Sequence, residues 1–189
     1  MEQVRSFFQR RYIDCSDQDW LMIAPKLIRR EFPKKTLILE KGQVENYVSF
    51  IEKGIVRYYI PKENKEITFE LTFADDFIGA YDSFLTRLPS VYHVETITQT
   101  TLWRLSYLDV QSLYRETAAG NIIGRLASET LFLEKAKREL SLLNDTPEQR
   151  YLNLFTEQPD LIKKIPLQYI ASYIGITPQA LSRIRKRIS

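Results

Sequence analysis

The sequence predicts an α+β fold in which a jelly-roll-like β domain is followed by one long helix and a closing pair of short helices. Three observations predict it. Six short runs rich in β-branched and aromatic residues lie between Thr36 and Leu105. An amphipathic stretch of more than twenty residues follows Gly120, and from Leu167 to Ile184 nearly every position suits two short helices joined by a tight turn. The domain organisation read from these changes of character is a β-roll over residues 1–118, a connecting helix over 119–144 and a helix-turn-helix unit over 145–189.

Taken in order, the first thirty residues carry helical patterning, with Phe7, Phe8 and Tyr12 in one stretch and Trp20, Leu21, Ile23, Leu27 and Ile28 in a second that Ser16 or Asp17 would cap. Strands are then expected near Thr36–Leu39, Tyr47–Glu52, Ile55–Ile60, Glu66–Thr72, Tyr92–Thr98 and Thr101–Leu105, punctuated by Gly42, Lys53-Gly54 and the polar stretch from Pro61 to Lys65. Many short strands at this spacing indicate a sandwich or closed roll rather than a parallel sheet with crossover helices. The interruption from Ala74 to Pro89 is long for a small β domain and has two readings: a segment lining a ligand site, or a short helix closing one end of the roll.

Helix returns at Tyr107. Beyond Gly120, Ile122, Leu126, Leu133, Ala136, Leu140 and Leu143 recur at three or four residues, with Glu129 breaking the stripe. Such a stripe can be buried against its own roll or against a twin helix in a homodimer. Thr146, Pro147 and Gln149 then read as N-cap, first helical residue and capping-box partner of a new helix, which places a hinge at Asn144-Asp145.

In the final run, Ala171 stands where only a small side chain lets the second helix approach the first, and Gly175 where the turn between them favours positive φ. Ile170, Ile174, Ile176, Leu181 and Ile184 form the shared apolar face, while Thr177 and Pro178 start the second helix. Gln179, Ser182, Arg183 and Lys186 are left outside, with the chemistry to meet base edges and phosphates in a major groove. Any antiparallel helix pair needs a small residue and a glycine; the charge distribution favours the DNA-reading one. From Leu161 onward there are 6 basic residues and no acidic one, against 21 basic and 24 acidic residues before it. The net charge of +3 therefore conceals a mildly acidic body and a basic tail suited to a polyanion.

Composition excludes several other classes. With 44% hydrophobic and 27% charged residues the chain reads as soluble and globular, and no apolar run approaches the roughly 20 residues that span a bilayer. The stretch Met1 to Arg11 lacks the apolar core of a secretion signal, so a cytoplasmic location without membrane partners is expected. Cys15, the only cysteine, forms no internal disulfide and cannot hold an iron–sulfur cluster. His93 is the only histidine, where a cupin-type metal site wants two or three, so no metal site is expected. Haem ligation by His93 is a weaker reading than a strand histidine facing solvent or packed in the roll. A serine nucleophile has no general base for the same reason, and neither a Gly-x-Ser-x-Gly elbow nor a phosphate-binding glycine loop occurs, so no enzyme is expected.

The whole arrangement resembles the Crp/Fnr family of bacterial transcription regulators. The run from Ile165 to Lys186 is similar to the short regulators common in Bacteroidetes, the octapeptide from Glu52 to Tyr59 resembles the family's glycine turn and following strand, and Asp76-Phe77-Ile78-Gly79 resembles the opening of its nucleotide-binding segment. The resemblance implies a ligand-sensing roll, a dimerising helix, a winged-helix-like DNA reader on a palindromic double-stranded site, and RNA polymerase as a further partner. On matching positions Gln179, Ser182 and Arg183 would face bases and Thr177 a phosphate, with Gly79, Ala80, Ser90 and Val91 in the ligand segment. The departures are specific. Where cyclic-AMP-binding members have a glutamate after the glycine this chain has Ala80, and where they have an arginine before the serine it has Pro89, with Arg87 out of register. A phosphate buried without a cationic partner is costly, so cyclic AMP is not expected as the cofactor. The sequence ends at Ser189, without the wing the resemblance implies, and Arg185, Lys186 and Arg187 are the candidates for its phosphate contacts. The alternative reading is a ligand-sensing roll that acts through protein partners without DNA binding.

Overall fold

The computed structural model describes residues 1–188; Ser189, the last residue of the expected helix-turn-helix unit, lies outside them. The chain runs α1 (Glu2–Arg11), α2 (Asp17–Ile23), a 3-10 turn (Ala24–Lys26), β1 (Ile28–Phe32), β2 (Leu37–Leu39), β3 (Tyr47–Lys53), β4 (Ile55–Lys62), β5 (Lys65–Phe73), β6 (Phe77–Ile78), α3 (Tyr81–Thr86), β7 (His93–Thr96) and β8 (Thr100–Ser106). It continues through α4 (Tyr107–Glu116), α5 (Ala118–Asn144), α6 (Pro147–Glu157), α7 (Pro159–Lys164), α8 (Leu167–Tyr173) and α9 (Pro178–Ile188). Two compact units result, Met1–Tyr58 with Thr72–Thr130 and Tyr59–Leu71 with Leu131–Ser189, so the division cuts through the β4–β5 hairpin and through α5. No helix among the described residues is long and apolar enough to cross a membrane.

The strands form two four-stranded sheets, ordered β1-β8-β3-β6 and β2-β7-β4-β5. All six expected strands are present, and β1 and β6 are additional. β1 corrects the reading of Trp20 to Ile28 as one helix. Ser16 does cap α2, its hydroxyl accepting the Asp19 N–H at 3.1 Å, but the helix ends at Ile23. Pro25 lies in the 3-10 turn that follows, where its missing donor and fixed φ break the α ladder. Ile28 then pairs with Arg104 as the start of an edge strand, antiparallel to β8. This edge carries Arg29, Arg30 and Glu31 on exposed positions, which removes the alternation that marks a strand and also discourages pairing with another chain. β6, two residues long, pairs Ile78 with Ser49 and Phe77 with Phe50. Between Lys53 and Ile55 the chain turns through Gly54 at φ +118°, where a Cβ would lie 2.4 Å from Thr100 Oγ1. Only glycine fits there.

In the first unit β3 is covered on both sides. Phe50 packs into an aromatic cluster with Phe7 and Phe77, at centroid distances of 5.5 and 5.4 Å, and Phe8 stacks on Phe77 at 5.6 Å. Val4, Leu105, Val110 and Leu113 complete this layer from α1, β8 and α4. Ser49 and Ile51, on the alternate face, are also buried, so β3 shows no polar–apolar alternation. The interruption after β5 contains the short helix α3, and α5 is one continuous helix of 27 residues. Phe50→Ala is expected to lower the unfolding free energy by about 3–5 kcal/mol, measured by denaturant titration of the full chain, because the cluster has no side chain free to refill the hole.

Candidate nucleic-acid interface and ligand segment

The second unit builds its outer face from α6 to α9. Thr146 and Gln149 make the reciprocal capping box that starts α6. Its Arg150 reaches across to the end of α8, where Nε donates to the Ile174 carbonyl at 2.9 Å. A second arginine, Arg138 of α5, donates to the Tyr173 carbonyl at 2.6 Å and lies over the Tyr173 ring at 3.8 Å. Burial pushes the Tyr173 phenol above its usual range, and the guanidinium partly offsets this. The two arginines thus satisfy carbonyls that a helix end leaves open. On the same helix Ser172 Oγ accepts the Thr68 N–H at 2.8 Å and donates to the Glu66 carbonyl at 3.1 Å.

The turn after α8 closes by two bonds, Gly175 N–H to the Ser172 carbonyl at 3.0 Å and Ile176 N–H to the Ala171 carbonyl at 2.9 Å. That is the Schellman pattern, with Gly175 at φ +80° in the left-handed position it requires. Thr177 caps α9, its hydroxyl accepting the Ala180 N–H at 3.2 Å, with Pro178 as the first helical residue. Ala171 and Leu181 are fully buried where the two helices cross, together with Ile170 and Ile174.

Gln179, Ser182, Arg183 and Lys186 recur at three and four residues on α9 and are all exposed, as is Thr177 before them. The structure therefore brings these four residues together on one outward face of α9, with Thr177 exposed at the helix start. The neighbouring cations behave differently. Arg187 is ion-paired with Glu148 at the start of α6, and Lys164 with Asp160 at 2.8 Å. The Lys164 ammonium holds the Asp160 carboxyl below its ordinary range. Arg183 and Lys186 make no ion pair with any of the described residues. Beside them, Pro147, Ile176, Ala180 and Ile184 line a shallow apolar groove flanked by Arg183 and Arg187.

In the first unit the segment from Gly79 to Val91 is organised around a residue the sequence did not single out. Glu45, 4% exposed, accepts the N–H groups of Tyr47 at 3.0 Å and Ala80 at 3.3 Å. Burial raises its carboxyl above the usual range, opposed by these N–H bonds and by the charge of Arg104. Gly79 N–H donates to the Tyr58 hydroxyl at 2.9 Å. Ser90 is buried, but its N–H goes to the Gln43 carbonyl at 2.8 Å and its hydroxyl to the Tyr92 carbonyl at 2.9 Å. Val91 is 62% exposed. The Tyr92 hydroxyl bonds to Asp82, and burial with that bond raises its phenol far above the usual range. Arg87 is the left-handed C-cap of α3; its guanidinium donates to the Glu45 and Phe84 carbonyls and to Asn46, and lies 4.2 Å from the Tyr107 ring. This cation is committed to the fold of the segment. His93 sits half-buried on β7, where Nδ1 accepts the Lys41 N–H at 3.0 Å.

Residues 29–117 match the cyclic nucleotide-binding domain family. No curated protein matches the sequence. Among solved structures, the c-di-GMP responsive global regulator CLP of Xanthomonas campestris is 17% identical with a TM-score of 0.69, over 92% of this chain and 91% of that one. A putative Crp/Fnr-family transcriptional regulator of Eubacterium rectale is 18% identical with a TM-score of 0.69, over 93% and 84%. The catabolite activator protein of Thermus thermophilus is 18% identical with a TM-score of 0.58, over 96% and 85%. Residues 29–117 are therefore similar to the cyclic nucleotide-binding domain family, and the chain shares its fold with solved transcription regulators, a putative Crp/Fnr-family member among them.

Proposed function

We propose that this protein is a dimeric, sequence-specific DNA-binding transcription regulator that acts in the cytoplasm and does not respond to cyclic AMP. In this reading residues 1–118 are the sensor roll, 119–144 the dimerisation helix and 145–189 a helix-turn-helix reader, and the protein has no enzymatic activity of its own. The observation that carries the reading is the outward face of α9. Gln179, Ser182, Arg183 and Lys186 are exposed together on a helix whose opposite side is buried through Leu181, in a stretch without an acidic residue. A helix presented in this way offers donors for guanine and phosphate at its N-terminal half. Thr177, the capping residue, is the phosphate contact.

The dimer is supported by α5. Leu133, Leu140 and Leu143 are 65%, 58% and 76% exposed, and with Ile122, Leu126 and Ala136 they follow the alternating three–four spacing of a two-stranded seam. A twin helix on this seam would give two readers related by two-fold symmetry, hence a palindromic site and a protein that can also present itself to RNA polymerase. Indifference to cyclic AMP is supported at Gly79, Ala80, Ser90 and Val91. Ala80 offers no carboxylate for a ribose, Pro89 stands in place of a cation, and Arg87 is bound to the Glu45 carbonyl.

Selection from a random DNA pool at moderate salt, with and without cyclic AMP, is expected to enrich one palindrome equally in both arms, with affinity falling steeply as salt rises. Absence of enrichment in both would refute the DNA reading and leave the roll as a module that acts through protein partners. Arg183→Ala is expected to cost about 1–3 kcal/mol on the selected site and to relax preference at one base pair. Equal losses on every sequence would reassign it to a phosphate. Leu133→Asp places a charge in the seam, so sedimentation should show a monomer where the unmodified chain is a dimer.

A further inference from the structure

The sheet ordered β1-β8-β3-β6 turns Phe50, Trp103 and Leu105 toward α1 and α4. Its other face carries the alternate residues, and one cross-strand row there runs Ile28, Arg104, Ser49, Ile78. Neighbouring strands lie about 4.8 Å apart, so Arg104 stands about 10 Å from Ile78, the residue before Gly79. Ser49, Ile51, Leu102 and Ile78 are buried on this face, and Arg104 is half-buried among them. Its guanidinium lies 3.8 Å from the centroid of the Tyr47 ring and 5.7 Å from that of Phe32. Its Nε donates to Ser49 Oγ at 3.4 Å; among the described residues that is its one hydrogen bond, and no carboxylate comes within ion-pair distance. A cation withdrawn this far from water is ordinarily matched by an acceptor. The other withdrawn arginines of the first unit are so matched: Arg5 by Asp17, Arg57 by Glu95 at 2.7 Å, and Arg87 by two carbonyls and Asn46. Burial draws the Arg104 pKa below its ordinary value, and the charge of Glu45 opposes this. The Glu45 oxygens themselves are directed at the Tyr47 and Ala80 N–H groups.

We propose that Arg104 is the anion-binding group of the roll and takes the carboxylate or phosphate oxygens of a small organic anion on the Nη edge of its guanidinium. The Tyr47 ring meets the face of that group and Ser49 holds its Nε, so the fork of donors that fits a planar oxyanion is fixed in place and left open. Arg30, exposed on the same face of the edge strand opposite Leu102, adds a second positive charge. Ile28, 42% exposed, and Phe32 offer apolar surface beside them for the body of the ligand. The roll thereby has on β8 the cation that residues 79–91 do not supply, Arg87 being bound to the Glu45 carbonyl. This rests on the reading of the roll as the ligand-sensing part of the chain, and it names the chemistry of the ligand.

The test is isothermal titration of the full chain without DNA, using sodium phosphate and, separately, sodium benzoate, each against chloride at matched ionic strength. The unmodified protein is compared with Arg104→Lys, Arg104→Gln and Arg183→Ala. Saturable one-site binding of at least one of the two anions is expected in the unmodified chain and, unchanged, in Arg183→Ala. Arg104→Lys keeps the charge but not the fork, so binding should weaken roughly tenfold, and Arg104→Gln should abolish it. Should Arg104→Gln fail to fold, the loss is read in Arg104→Lys. Binding of phosphate alone assigns a phosphate ester, of benzoate alone a carboxylate, and of both the shared oxyanion chemistry. Failure of both anions to bind the unmodified chain would overturn the proposal. So would binding that persists undiminished in both Arg104 variants, or binding lost in Arg183→Ala, which would put the anion on α9. Because DNA is absent, a negative titration leaves the DNA-binding reading untouched, and a failed DNA selection leaves a positive titration standing.

Discussion

Burial of β3 on both faces is the constraint from which the first unit follows. Phe50 is committed to the aromatic layer of α1 and α4, and Ser49 and Ile51 to the other side, so the strand's register cannot slip by one residue without exchanging the two sets. Everything around the ligand segment hangs from that register. The loop entering β3 carries Glu45 and Asn46, and the strand pairs with β6, whose Ile78 lies opposite Ser49. Gly79 and Ala80 follow directly from β6. The two sides of the Glu45–Ala80 bond are thus delivered by neighbouring strands of one ladder, which is how a carboxyl and an N–H 35 residues apart meet at 3.3 Å.

The second unit solves a different problem. Its α8 has 7 residues, too few for stability of its own, and its exposed partner α9 can be aimed only as well as α8 is held. Buried Ala171 and Leu181 set the approach of the two helices, and Arg138, Arg150 and Ser172 fix α8 through its C-terminal backbone and side chain. A reading helix with long flexible side chains gains from a rigid base, because the geometry of base contacts is then set by the helix and not searched for on each encounter. The ion pair between Arg187 and Glu148 ties the far end of α9 to the start of α6. It also means that the basic tail is less free than its composition suggests.

Much of this was legible in the sequence where the signal is local. The capping box at Thr146, the Thr177-Pro178 start of α9 and the left-handed Gly175 are each decided within four or five residues, and each stands where the pattern put it. Long strands such as β4 and β5 were legible for the same reason. The start of β1 was not, because an exposed edge strand reading Ile-Arg-Arg-Glu-Phe carries no alternation and follows a helical stretch without a glycine between them. Arg87 was noticed as a cation out of register with a phosphate; two of its partners, the Glu45 carbonyl and Asn46, lie more than forty residues away.

The sequence by itself determined the succession from β domain to long helix to closing helix pair and the face on which Gln179, Ser182, Arg183 and Lys186 stand, because helix periodicity and capping depend on neighbours along the chain. Only the tertiary structure decided that Glu45 governs α3, that Arg138 and Arg150 cap α8, and that Arg187 is paired while Arg183 and Lys186 are not. Each of those outcomes turns on which polar groups become neighbours once strands pair and helices pack. A buried carboxyl or a helix-end carbonyl must be satisfied, but nothing in its immediate sequence says by whom.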